Sequence, residues 1–212
     1  MAIDSRLLDI KTFPARTMVF VDGEFRPELS DDSDSNLPMH IIYVGEINGD
    51  IRITNHESPI MYFSLKTKNK KPAFLNIFIE NTGKNSEING DIVVMNFSDL
   101  KIDIKTDHLA GKSGIKVHTR VLAHACTSTE LTVTANIVAD APDCNSDISF
   151  SVMAAPDAKI KMSPAQRIAS VPESAEHSAG LYRGTKPQIE YLSVAGLNDS
   201  QIQQILEDAF LN

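Results

Sequence analysis

The chain has no tryptophan, only two cysteines among its 212 residues, and no apolar run long enough to span a bilayer. The cysteines, Cys126 and Cys144, form neither a CxxC pair nor a disulfide framework, so a reducing compartment is expected. Met1 to Asp9 is too polar for a signal peptide, which adds to the expectation of a cytoplasmic protein with no membrane partner. Basic residues are outnumbered, 20 against 28 acidic ones, and the net charge of −8 argues against the basic face that nucleic acid requires. The densest cationic stretch, Lys66, Lys68, Lys70 and Lys71, reads as a solvated turn. No glycine-rich phosphate loop, nucleophile elbow or zinc-protease helix occurs.

What is present is strand. Val117, Val121, Ala123 and Ala125 share one parity of the run 117–126, and Leu131, Val133, Ala135 and Ile137 alternate in the same way. Ile148, Phe150 and Val152 follow, then Ile160 and Met162. Period-two alternation of this kind buries one face and wets the other. The earlier runs 60–65, 74–79 and 91–95 are more continuously apolar and suit central strands. Turns are expected at Asn48–Gly49, Thr82–Gly83, Asn89–Gly90, Gly111–Gly114 and Ala141–Asp143. Strands arriving about every ten residues imply an all-β stack: a sandwich, a barrel or a β-helix. No strict internal repeat decides among these. The acidic stretch 31–37 reads as a mobile loop.

Helix is expected only at the C-terminus. Ile202, Ile205, Leu206, Ala209 and Phe210 form one apolar stripe at helical spacing, with Ser200 and Gln203 in the form of a capping box. A shorter helix starts near Pro187, and Gly196 closes it in a left-handed conformation.

Side chains able to do chemistry are sparse. His124 and Cys126, two residues apart on one strand face, are half a zinc or iron site; the alternative is a polar outer face with an unreactive thiol. Cys144, in a turn without a basic neighbour, reads as a structural thiol. Asp91, Asp99, Asp103 and Asp107 are scattered rather than paired, which weakens a polysaccharide-cleaving reading. No catalytic constellation emerges.

Two stretches carry a family resemblance. Val19 to Ser30 reads VFVDGEFRPELS, and the tail runs from Glu173 to Gly180 as ESAEHSAG, then through Tyr191–Leu192 and Ala195–Gly196 to the closing helix. Together they resemble the SufB/SufD scaffold proteins of iron–sulfur cluster assembly, closest to a short SufD-like protein. The resemblance implies a right-handed parallel β-helix, core 1–184 with the opening motif at 13–30, and a two-helix docking appendage at 185–212. It implies a non-catalytic scaffold that pairs with itself or a SufB-like scaffold and offers its helices to a SufC-like ATPase. Tyr191, Leu192, Ile202, Ile205, Leu206 and Phe210 are the implied docking residues, and His177 the cluster-proximal one. Read without the family, His177 is a surface histidine.

The departures are specific. Ala175 stands where SufD-type chains carry cysteine, and Ser178 where SufB-type chains carry glutamate. Phe150, or a close neighbour, occupies the place of the cluster-building cysteine, and Ala195 replaces the arginine before the last helix. With thiolate the usual cluster ligand, no resident cofactor is implied, only a transient iron–sulfur cluster at a partner interface. The rival expectation is a divergent β-helix module that has lost the assembly role.

Overall fold

The computed structural model describes residues 16–30, 37–56 and 58–211. Among these residues thirteen strands precede two helices: β1 (Arg16–Val21), β2 (Glu24–Phe25), β3 (Met39–Gly45), β4 (Gly49–Asn55), β5 (Ile60–Asn69), β6 (Ala73–Asn81), β7 (Glu87–Asn96), β8 (Leu100–His108), β9 (Gly114–Ala123), β10 (Ser128–Ile137), β11 (Asn145–Ala154), β12 (Lys159–Ile168), β13 (Ser174–Tyr182), α1 (Lys186–Val194) and α2 (Asp199–Leu211). From β3 onward the chain alternates between two sheets. Odd-numbered strands join β1 and β2 in an eight-stranded sheet A, and β4, β6, β8, β10 and β12 form a five-stranded sheet B. Every pairing but the short β1–β2 return is parallel, so the architecture is a parallel β-solenoid of about six turns.

Coiling places each side chain above its register mate one turn earlier, about 4.8 Å away, so the core is built from columns. Ile51, Ile77, Ile104 and Val133 make one column in sheet B. Leu65, Ile92, Thr119 and Phe150 make another in sheet A. All are buried between the sheets, and strands of this kind read as alternating text because their other face is solvated. Turns differ in length: Glu87 pairs with Gly114, but Gly114 pairs with Asn145 further along the chain. Unequal turns hide the coil from a search for a fixed period.

Several local expectations change. Asn89–Gly90 is not a turn but lies inside β7, where the Phe63 ring fills the space a Cβ on Gly90 would need. A large residue one turn below is matched by none above. Lys66 and Lys68 belong to β5, and only Lys70 and Lys71 are in the turn. The α2 cap forms at Asn198 instead of Ser200: Gln201 N–H donates to Asn198 Oδ1 and Asn198 N–H to Gln201 Oε1. Thr185 and Gln188 make the matching box on α1, Pro187 sits in its first turn, and Gly196 beyond it has φ +88°. The acidic loop at 31–36 and the motif residues before Arg16 lie outside the described residues.

Candidate functional site

The last turn differs from those before it because, among the described residues, no further strand stacks on it. Its inward columns end in Met162, Pro164 and Gln166 from β12 and in Ala175, His177 and Ala179 from β13. His177 continues the interior column Phe63, Gly90, Val117, Ile148. It is therefore an inward residue at an open end, not the surface histidine that local composition suggests. Its ring meets Phe150 edge-on at 5.6 Å between centroids, and its Nε2 is buried with no hydrogen-bond partner. Removal from water holds its pKa below the ordinary histidine value. A neutral imidazole with an unsatisfied nitrogen, at the rim of an uncovered core, is suited to receive a group from a second molecule.

The strand edges of this turn are unequal. In β12 the odd-numbered residues donate towards β10, as Lys159 N–H does to the Thr127 carbonyl and Ala169 N–H to that of Ile137. Pro164 therefore turns its backbone nitrogen to the side away from β10, removing one donor from the free edge of sheet B. The β13 edge has no proline: Ser174 N–H donates back to the Cys144 carbonyl, so by alternation the backbone groups of Ala175, His177, Ala179 and Leu181 face the free edge. An unblunted edge is a template for another strand; a proline-interrupted one is protected.

The helical pair stands on the outside of sheet A. Met95, Leu122 and Met153 form an outward row that is nonetheless buried, because Leu206, Phe210 and Leu211 pack against it. Ile202 is 3% exposed, whereas Ile205 is 42% and Tyr191 75% exposed. The proposed docking residues thus divide: Ile202, Leu206 and Phe210 face the body, Tyr191 and Ile205 face solvent, and Leu192 is half-buried. With Ile189 and Val194, α1 and α2 present an apolar outer surface.

The structure does not bring His124 and Cys126 together as strand neighbours. Strand β9 ends at Ala123, and Cys126 occupies a turn at φ +60°. The His124 ring stacks on Phe97 at 3.8 Å, and its Nδ1 lies 3.9 Å from Glu207 of α2. Cys126 instead donates from both N–H and thiol to Asp157, and that hydrogen bond, followed by the carboxylate's negative charge, raises the thiol pKa. Cys144 is fully buried against Ser113 and the Ala141 carbonyl. Among the described residues no three His, Cys, Asp or Glu side chains gather where they could hold a metal ion. One imidazole without thiolates does not hold a cluster, so any cluster here would have to be ligated mainly by a partner.

Other features escaped the sequence reading. Asn55, Asn81 and His108 stack at the corner between the sheets. Asn81 donates to the carbonyls of Ser86 and Gly114, and His108 Nδ1 lies 3.0 Å from Ser113 Oγ. Burial lowers the His108 pKa to about 4, and that of His40 likewise. The signal was there: Ile51–Asn55 (IRITN) and Ile77–Asn81 (IFIEN) share the pattern I-x-I-x-N. An open groove of about 800 Å³ runs beside this corner, lined by Glu87, Asp143, Glu173, Lys112 and Lys116. Lys116 is already bound to Glu87 at 2.8 Å, so the walls offer no convergent set of one charge. Among the described residues, no helix is long and apolar enough to cross a membrane. No protein-family model matches the chain, and no curated protein matches it.

Proposed function

We propose that this protein is a non-catalytic scaffold resembling SufD that acts by protein–protein contact in iron–sulfur cluster assembly. The observation that carries the reading is His177 at the open end of the solenoid, inward, neutral and unsatisfied, beside a strand edge left free by β13. A SufB-like scaffold, or a second copy when the protein is alone, adds a strand to β13 and covers the last turn. The arriving surface supplies the partner for His177 Nε2 and any thiolates for a transient cluster. The outer face of α1 and α2, with Tyr191, Ile189 and Ile205, meets a SufC-like ATPase.

A second reading is favoured by Ala175 and Ser178, which replace the family's cysteine and glutamate on β13 itself. In that reading the chain is a divergent solenoid module that pairs without assembling clusters.

The test is anaerobic reconstitution with a purified SufB-like scaffold and SufC-like ATPase, read by size-exclusion with light scattering and by bound iron and sulfide. A stable complex that loses its β13 contact in Ala179→Pro, and loses iron in His177→Ala while staying assembled, supports the assembly role. Pairing that is unaffected by His177→Ala and never carries iron supports the divergent module. No complex and no dimer removes the scaffold reading.

A further inference from the structure

The apolar face of α2 is already occupied. Along the outside of sheet A the rows are polar: Tyr62, Asn89, Lys116, Asp147 and Glu176 in one, Ser64, Asp91, His118, Ser149 and Ser178 in the next. The row Met95, Leu122, Met153 breaks this rule, and it lies under α2. Ile202, Leu206 and Phe210, the residues an amphipathic docking helix would offer a partner, are turned towards the body.

The closure is held by few ties. Arg120, bound to Asp91 at 2.8 Å, also donates to the Leu211 carbonyl at the end of α2. Glu207 is 7% exposed, yet its close hydrogen bond at 2.8 Å comes from Gln203 of the same helix, and His124 stands 3.9 Å off. A buried carboxylate without a close donor from the sheet is a weak point in the contact. The tether suits movement: α1 has no buried residue, Gly196 bends the link at φ +88°, and Gly184 passes against Leu206. A helix as short as α2 is marginal alone, so its order depends on whichever surface it is docked to.

We propose that α2 is a reversibly self-docked segment, with the Met95–Leu122–Met153 row as its resting site, so that the docking helix is also its own inhibitor. This rests on the assignment of the helices to partner binding. In the closed state a partner meets only the outer surface with Tyr191 and Ile205. In the open state Ile202, Leu206 and Phe210 become available, and the affinity seen is the intrinsic one reduced by the open fraction.

The experiment uses the full chain in three forms: wild type, Leu122→Ser, which weakens the resting site without opening an interior cavity, and Gly184→Val, which wedges against Leu206 Cδ1. Hydrogen exchange is followed in α2 and in β5 to β11, and binding of a purified SufC-like ATPase is titrated. Self-docking predicts that both variants exchange about tenfold faster in α2 alone and bind the ATPase about tenfold more tightly. Exchange in wild-type α2 that matches the core strands, or weaker binding by both variants, overturns the proposal. Faster α2 exchange without ATPase binding in any form supports self-docking and removes the partner assignment.

Discussion

The middle of the solenoid and its last turn are built from the same kind of strand, and they differ in what covers them. Between β5 and β11 the inward residues are stacked between turns above and below; Ile77, Ile104 and Val117 are wholly buried. In β12 and β13 the same parity ends in Pro164, Gln166, His177 and Ala179, and Leu181 is 47% exposed. Stacking makes the middle stable and chemically silent. Its absence leaves the end with a free edge and an unsatisfied imidazole, which is where the proposed contact with another chain is placed.

That contrast can be broken most severely in the middle. Ile104→Ala removes a side chain from a sealed column and is expected to cost about 3 kcal/mol, measured by urea unfolding. Leu181→Ala, on the last turn, should cost under about 1 kcal/mol in the same assay. Equal losses would mean that the end is as closed as the middle.

Acid sharpens the comparison next. His40 and His108 are held neutral with pKa about 4, below the unfolded value of 6.5. As pH falls below 6.5 the unfolded chain binds protons that the folded chain refuses, so stability is full above 6.5 and declines towards pH 4. At pH 5 each histidine should have lost about 2 kcal/mol relative to pH 7. His108→Asn, which extends the Asn55–Asn81 column, should flatten the decline by about half, as read from urea midpoints at the two pH values.

His177 separates a structural role from an interaction role. If its job were packing, His177→Phe against Phe150 would change both stability and pairing. With Nε2 unsatisfied, the substitution is expected to be neutral or to stabilise the monomer by about 1 kcal/mol, while dimer or partner affinity falls in analytical ultracentrifugation. The most local effect belongs to the helices. Asn198→Ala removes the α2 cap and should cost about 1 kcal/mol, visible as faster exchange in α2 and absent from β5 to β11.

The strand text was legible because alternation follows directly from one face buried and one wet. Leu131, Val133, Ala135 and Ile137 are buried in the order their parity implies. The bounds of α1 were legible too, since Pro187 and Gly196 act through their own backbone preferences, whereas the α2 cap formed two residues before the expected one. Gly90 was misread because a glycine at a turn and one opposite a phenylalanine look alike until the register is known. Cys126 was misread because the strand stops three residues earlier, where Cys126 N–H bonds Asp157 instead of continuing the ladder. The direction of His177 was out of reach for a related reason: parity can be read, but which parity faces inward depends on the strands beside it.

By itself the sequence determined that this chain forms short strands with one apolar face each, closed by two capped helices, because those properties reside in side chains a few residues apart. Only the tertiary structure decided that the strands coil in parallel, that His177 points into an unfinished core, and that α2 rests on Met95, Leu122 and Met153. Those outcomes join residues one or more full turns of the coil apart. The turns between them differ in length, so no local pattern in the chain records which residues will meet.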